Sequence, residues 1–279
     1  MTMQQYIGKI INSDSAAFLK TLPDNCIDLT ITSPPYDDMR TYGKQESDWT
    51  VDVFKTIANE LFRITKQGGM VTWVVADKVK DYNKSLTSFR QALYFQEIGF
   101  KVYDVLIYEK NSGGMPNKTR YNSTYEFMFI LSKGKPKTIN LIKDKPNKWA
   151  GVTAWGTNSV RDKDGVLTQR DKKPVAEFGV RNTIWRYNVG FGFTTKDKMA
   201  YKHPAMFPEK LAEDNIISWS NEGDIVLDCF GGSGTVAKMA DKLNRKWILV
   251  ERNLEYCEIA KERLDAHGIE TEIETICVN

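Results

Sequence analysis

The 279-residue chain is expected to fold as an α/β protein: a mostly parallel sheet with helices on both faces, permuted in chain order, with a loop-rich basic insertion. Three observations predict this. Short apolar runs alternate with segments of helical period over residues 6–131 and again over 208–265. A strand, a glycine loop and a helix follow one another only from residue 225 onward. Between these stretches, residues 133–202 show little periodicity and become rich in Lys, Pro, Gly and Asn with isolated aromatics.

In chain order, residues 6–11 read as a strand, 15–22 as one or two helical turns, and 27–32 as a second strand. Residues 51–65 place Phe54, Ile57, Ala58, Leu61 and Phe62 on one helical face, and Gly68-Gly69 is expected to close that helix before a buried-type strand over 70–76. A helix over 86–98 follows, then strands over 102–108 and 125–131. Beyond the insertion, Pro208 suits a first helical position, and the helix should run to Ile216 or Trp219. Ile225 to Gly234 then reads as a strand entering a glycine turn, ahead of a helix with Val236, Met239, Ala240 and Leu243 on its apolar face. A strand over 247–250 ends in Glu251, a helix presents Tyr256, Ala260 and Leu264, and 269–276 alternates as an edge strand. Only 28 residues follow Glu251, too few for the rest of a nucleotide-binding sheet, so the N-terminal strands must complete what this late unit begins.

Composition excludes several classes. With 41% hydrophobic and 27% charged residues the chain is neither disordered nor fibrous. Its longest near-apolar run, 71–76, is far short of a membrane span, and the N-terminus lacks a leader pattern, so no membrane partner is expected. Cys26, Cys229, Cys257 and Cys277 lie far apart without a CxxC pair, which indicates neither a metal site nor a disulfide framework and suits a reducing cytoplasm. The net charge of +3 conceals a division: residues 110–202 hold 19 basic and 7 acidic side chains, a net of +12, against −9 elsewhere. Trp149, Trp155, Trp185, Tyr187, Phe191 and Phe193 interleave with those charges, the pattern of a surface that tracks phosphates and stacks on bases. Nucleic acid is therefore the expected partner, against the plainer reading of a solvated face.

Two motifs carry chemistry. Gly232-Ser233-Gly234 with Ala237 fits the G-x-G-x-x-G/A fingerprint, and Glu251 at the end of the next strand can accept hydrogen bonds from a ribose. A dehydrogenase usually opens with such a loop. Here it comes last, which favours a different adenosyl cofactor, S-adenosylmethionine, over NAD. The second motif, Ser33-Pro34-Pro35-Tyr36, follows an apolar strand at the end where α/β sheets bind ligands. Its prolines fix the backbone, Ser33 and the Pro34 carbonyl offer acceptors, and Tyr36 offers a ring to stack on a base. An exocyclic amine of cytosine or adenine is a poor nucleophile because its lone pair is delocalised, and acceptors for its N–H groups would turn that lone pair toward a methyl donor. Carbon-5 methylation would need a Pro-Cys thiolate, which the chain lacks.

These motifs, in this order, resemble the β-group amino-DNA methyltransferases over most of the chain. Ser33-Pro34-Pro35-Tyr36 is similar to their catalytic motif, residues 203–208 (His-Pro-Ala-Met-Phe-Pro) to their cofactor-side segment, and residues 227–235 to their methionine-binding loop. The resemblance implies a circularly permuted Rossmann-like methyltransferase sheet and S-adenosyl-L-methionine as cofactor. It implies a cofactor site of Asp14, Lys202, Pro204, Phe207, Asp228, Phe230, Gly231, Gly232, Ser233, Gly234, Thr235 and Glu251. Asp14 would contact the adenine end and Glu251 hold the ribose, while Lys202, Pro204 and Phe207 border the methionine. Double-stranded DNA would be the substrate, residues 1–132 and 201–279 the two halves of the catalytic domain, 133–200 the target-recognition insertion, and a homodimer is compatible with family practice. Cys229 departs from the usual Pro. Ser33 stands where adenine-specific members usually have Asp, so cytosine-N4 is the expected target amine and adenine-N6 the alternative. Outside this class stand a methyltransferase acting on RNA or protein side chains, an NAD-dependent oxidoreductase and a catalytically silent DNA-binding relative.

Overall fold

A run of β-branched and apolar residues with few interruptions favours a strand buried on both faces, and such runs build the centre of this molecule. The computed structural model describes residues 3–35, 49–111, 119–153, 159–169, 173–204 and 206–276. Its strands are β1 (Lys9–Asn12), β2 (Ile27–Thr32), β3 (Thr65–Val75), β4 (Lys101–Lys110), β5 (Tyr125–Ser132), β6 (Ile184–Tyr187), β7 (Ile225–Asp228), β8 (Lys246–Glu251) and β9 (Ile273–Thr275). They form one nine-stranded sheet in the order β6-β4-β5-β3-β2-β7-β8-β1-β9. Only β5 runs antiparallel to its neighbours, so every other strand ends at the same rim. The late unit β7 and β8 lies between β2 and β1, and the N-terminal strands complete its sheet as expected.

Helices α1 (Ser15–Leu19), α2 (Val51–Ile64) and α3 (Thr87–Glu97) cover one face. There Val71, Trp73 and Val75 of β3, Ile11 of β1 and Val250 of β8 pack with Phe18, Phe54, Ile57 and Phe95. Helices α4 (Glu209–Trp219), α5 (Thr235–Lys242) and α6 (Leu254–Asp265) serve the other. On that side Asn215 of α4 accepts from Thr72 Oγ1 at 3.1 Å and donates to Met128 Sδ at 3.3 Å. Trp73 anchors the first layer: it is fully buried, its ring lies 5.1 Å from Phe95 and 6.0 Å from Phe54, and its indole N–H donates to Gln91 at 2.9 Å.

Several boundaries differ from expectation. Residues 3–6 form a 3-10 turn that tucks Tyr6 against Phe18, so the first strand begins at Lys9. Helix α1 stops at Leu19 instead of 22. Helix α2, capped by Thr50, ends at Ile64 because Thr65 turns its backbone to extended and donates from Oγ1 to the Leu61 carbonyl at 2.6 Å. Gly68-Gly69 therefore does not close α2; both residues lie inside β3. A Cβ on Gly69 would meet the Lys66 carbonyl and Thr65 Cγ2 of its own strand at 2.9 Å and the Asp28 carbonyl of β2 at 3.0 Å, so only glycine fits there. Pro208 is the cap of α4, one residue ahead of its first turn.

The insertion is smaller than its composition suggested. Residues Leu141–Asn182 form a compact unit of their own, with short ladders pairing Ser159–Arg161 with Leu167–Gln169 and Lys145–Pro146 with Phe178–Gly179. The flanking residues on both sides belong to the sheet-bearing unit. Two aromatics expected on a stacking surface are core residues instead. In β6, Trp185 and Tyr187 alternate inward while Ile184 and Arg186 face out, and the Tyr187 hydroxyl donates to buried Asp214 at 2.8 Å. Trp149, Phe191 and Phe193 are exposed as expected, whereas Trp155, Lys172 and Cys277 lie outside the described residues. Among the described residues no helix is long and apolar enough to cross a membrane.

Replacing Trp73 by Ala removes the largest fully buried side chain and strands the Gln91 amide, and should cost about 3–5 kcal/mol. Urea denaturation at constant m-value measures it.

Candidate active site

The carboxyl ends of β2, β7, β8 and β1 lie side by side on one rim, and the residues that leave those ends define a site. At the centre, Thr32 Oγ1 donates to Asp228 Oδ1 at 2.8 Å and joins the last residue of β2 to the last residue of β7. Ser33, Pro34 and Pro35 therefore depart beside the glycine loop, with Pro34 buried and its neighbours half-buried. Tyr36 lies outside the described residues.

The loop is shaped by its glycines. The Phe230 N–H donates to Asp228 Oδ1 at 3.1 Å and bends the chain out of β7, and the Gly231 N–H donates to the Val250 carbonyl of β8 at 2.9 Å. A Cβ on Gly231 would sit 2.3 Å from Leu249 Cγ, too close for any side chain. Gly232 and Gly234 adopt φ of +49° and +77°, and Gly234 caps α5 in the left-handed region that glycine occupies without strain. Glu251 closes the loop from the neighbouring strand, accepting from the Gly232 N–H at 3.0 Å and the Asn253 N–H at 2.9 Å. Asn12 at the end of β1 donates to the carbonyls of Glu251 and Arg252 and holds that strand end in place.

The other expected residues are distributed around this loop. Asp14 is exposed and caps α1, accepting from the Ala17 N–H at 2.9 Å. Phe230 is half-buried with its ring 5.4 Å from Trp49. His203 is buried edge-on against Tyr256, and its Nε2 would lie 3.0 Å from a Cβ on Gly232. Pro204 is exposed and Phe207 half-buried, and Ala205 lies outside the described residues. Lys202 stands apart: its ammonium is 3.7 Å from Glu262 on the open face of α6, with most of the side chain in solvent.

The electrostatics of the rim are set by the burial of two carboxyls. Burial pushes the Asp228 carboxyl up to about 7, and hydrogen bonds from Thr32 and the Phe230 N–H only partly offset it. Burial likewise raises Glu251 above the usual carboxylate range despite its backbone donors. The nearby Arg252 charge lowers Glu251 as well, and it too is outweighed by burial. A ligand that brings positive charge and hydroxyl donors would relieve both.

Sequence patterning missed what holds the loop. Arg263 of α6 has no exposed surface, and its guanidinium donates to the Ser233 carbonyl at 3.0 Å and Thr235 Oγ1 at 2.8 Å. Its remaining N–H groups reach Asp197 and Glu209, each at 2.6 Å, and Thr195 at 3.2 Å. Lys238 of α5 donates to the same two carboxylates at 2.8 Å, and His267 closes the group 2.9 Å from Asp197. Burial alone would raise the Asp197 carboxyl, but hydrogen bonds from Lys238, Arg263 and His267 outweigh it and hold it far below the usual range. Glu209 is lowered in the same way, by Lys238, Thr195 and Arg263. One signal was available: Arg263 stands three residues after Ala260 and seven after Tyr256, on the stripe that the other apolar residues define.

Residues 27–262 match the family model described as DNA methylase. The orphan methyltransferase M.BamHII of Bacillus amyloliquefaciens is 52% identical over 246 residues, which span 88% of this chain and 91% of that protein. The cytosine-N4-specific PvuII DNA methyltransferase shares the fold with a TM-score of 0.67 at 21% identity, over 95% of this chain and 94% of its own. A DNA modification methylase of Thermus thermophilus, solved with S-adenosyl-L-methionine, does so with a TM-score of 0.61 at 20% identity, over 96% and 99%.

Two outcomes are expected. Arg263→Ala leaves Asp197 and Glu209 buried with one cation fewer and should destabilise the fold by about 3–5 kcal/mol. Because both carboxyls are depressed when folded, the wild type gains their stabilisation above the ordinary carboxylate pKa and loses it as pH falls through the folded value; the variant should show a shallower acid limb in denaturant titrations. Asp228 has the opposite sign. Its folded pKa is raised, so the folded state binds the extra proton between about pH 4 and 7 and stability falls as pH rises through that window. Asp228→Asn should lessen that fall in the ligand-free protein, read by the same titration at pH 5 and pH 8.

Proposed function

The chain belongs to the DNA methylase family, and from that premise we propose that it moves a methyl group from S-adenosyl-L-methionine to the N4 amine of cytosine in duplex DNA. The observation that carries the reading is the Thr32 to Asp228 bond, since it sets the Ser33-Pro34-Pro35 strand end directly beside the glycine loop. A cofactor and a base could then meet on one rim. The buried carboxylates support the choice of cofactor. Burial holds both carboxyls above their usual range in spite of their hydrogen-bond donors and, for Glu251, the nearby Arg252, and S-adenosylmethionine carries an ammonium, a sulfonium and a ribose diol. NAD would bring a pyrophosphate to the same two carboxylates, which disfavours it.

When bound, the cofactor supplies a methyl group activated by its sulfonium. Asp228 would take the cationic end and Glu251 the ribose, with the Gly231-Gly232-Ser233-Gly234-Thr235 backbone close against them and Phe230 packing from the core side. Asp14, Pro204 and Phe207 would border the cofactor, whereas Lys202 would contribute only by leaving Glu262. On the base side, Ser33 Oγ and the Pro34 carbonyl would accept the two amine N–H groups and direct the nitrogen lone pair toward the methyl group. Pro35 stiffens that turn, and Tyr36 would stack on the flipped ring. Ser33 at the head of the motif supports cytosine. Three free thiols, Cys26, Cys229 and Cys257, accord with action in a reducing cytoplasm.

Incubation with labelled S-adenosylmethionine and unmodified duplex DNA, followed by nucleoside analysis, tests the reading. Label in N4-methylcytosine is the expected result; N6-methyladenine would correct the target base, and no label in DNA would end the proposal. Pro34→Ala and Pro35→Ala keep the backbone carbonyls but loosen the turn that aims them, and each should reduce transfer on the order of a hundredfold through misplacement alone. Their melting shift with S-adenosylmethionine should stay at the wild-type value.

A further inference from the structure

One loop presents apolar surface to solvent and is held rigid while doing so. Phe191 is 73% and Phe193 67% exposed, although both rings lie within a single six-residue bend after β6. The bend is heavily braced. The Gly190 N–H donates to Thr194 Oγ1, and the Phe193 and Thr194 N–H groups donate back to the Gly190 carbonyl. The Gly192 N–H donates to the Tyr201 hydroxyl at 2.7 Å, and that hydroxyl is within 2.9 Å of the Thr195 carbonyl and 3.1 Å of the Gly190 carbonyl. Thr195 and Asp197 then anchor the segment to Arg263, the side chain that also holds the Ser233 carbonyl and Thr235.

Topology decides where this bend stands. Strand β6 runs parallel to β4, so the chain leaves it at the same rim as Ser33 and the glycine loop, and the Val189 N–H bonds Asn111 just past the end of β4. Exposed Lys196 and Lys198 follow the bend, while Asp197 between them turns inward to Arg263 and Lys238. The outward surface is thus two aromatic rings beside two cations. That combination suits unstacked bases next to phosphates.

Resting on the DNA reading above, we propose that loop 190–195 enters the duplex at the target, where Phe191 and Phe193 stack on the bases left exposed when the target nucleotide is extruded. Rigid bracing serves this purpose because a wedge that is already ordered loses little entropy on insertion. The rings offset lost base stacking and favour the flipped state, and their contribution should be greatest when the target is fully paired.

The test uses the full chain and two duplexes built on whatever sequence the wild type methylates, one fully paired and one mismatched at the target. Phe193→Ala, and separately Phe191→Ala, should lose on the order of tenfold in kcat/KM on the paired duplex and much less on the mismatched one, where unpairing is already done. The melting temperature and its shift with S-adenosylmethionine should remain at wild-type values. Wild-type rates on the paired duplex, or equal losses on both duplexes, would overturn the wedge while leaving the methyltransferase reading intact. A wild-type protein that methylates no DNA would overturn that reading and the wedge with it.

Discussion

A guanidinium sealed from solvent joins three parts of this protein that are distant in sequence. Arg263 reaches the glycine loop through Ser233 and Thr235, the segment after β6 through Thr195 and Asp197, and the start of α4 through Glu209. A buried cation costs several kcal/mol unless each of its donors is satisfied. Here all three guanidinium nitrogens have acceptors and Lys238 shares the two carboxylates, so the group is satisfied as a set or not at all. The consequence is positional. The glycine loop and the segment that precedes α4 are tied to one side chain and cannot move independently.

The rim itself works by the opposite principle. Around Arg263 every charge is answered, whereas burial outweighs the hydrogen-bond donors of Asp228 and both the donors and the nearby Arg252 charge of Glu251. Folding tolerates this because the Thr32 hydroxyl and the Phe230, Gly232 and Asn253 N–H groups stabilise the anions enough to keep them there. The rim is left with two carboxyls that burial holds above their ordinary pKa, a perturbation of the kind that clusters at functional sites. Gly231, pressed against Leu249, and Gly232, pressed against His203, keep the backbone low enough for a ligand to reach them.

Where local residue type dictated local structure, it was readable. Residues 27–32 form β2 at the boundaries that the apolar run indicated, α3 lies within a residue of its periodic pattern at each end, and the strand, glycine loop and helix after 225 appear in order. Legibility failed where a distant neighbour decided. Gly68-Gly69 resembles a helix stop, yet both lie inside β3, where a Cβ on Gly68 would meet Lys135 and Lys137 and one on Gly69 would meet Lys66, Thr65 and the Asp28 carbonyl of β2. Trp185 and Tyr187 sit among Lys and Arg in sequence, yet sheet pairing with β4 and the Asp214 carboxylate draw them inward.

By itself, then, the sequence determined the alternation of strands and helices, the two motifs that border the site, and the chain order in which a late glycine loop requires early strands to finish its sheet. These depend on periodicity, turn chemistry and residue count, all properties of neighbours along the chain. Only the tertiary structure decided that Thr32 would meet Asp228, that Arg263 would be buried where the glycine loop meets the segments before and within α4, and that Lys202 would face Glu262. Each of those outcomes pairs side chains through space that are far apart in the chain, and the free energy that selects the buried ones exists only once water has been excluded from between them.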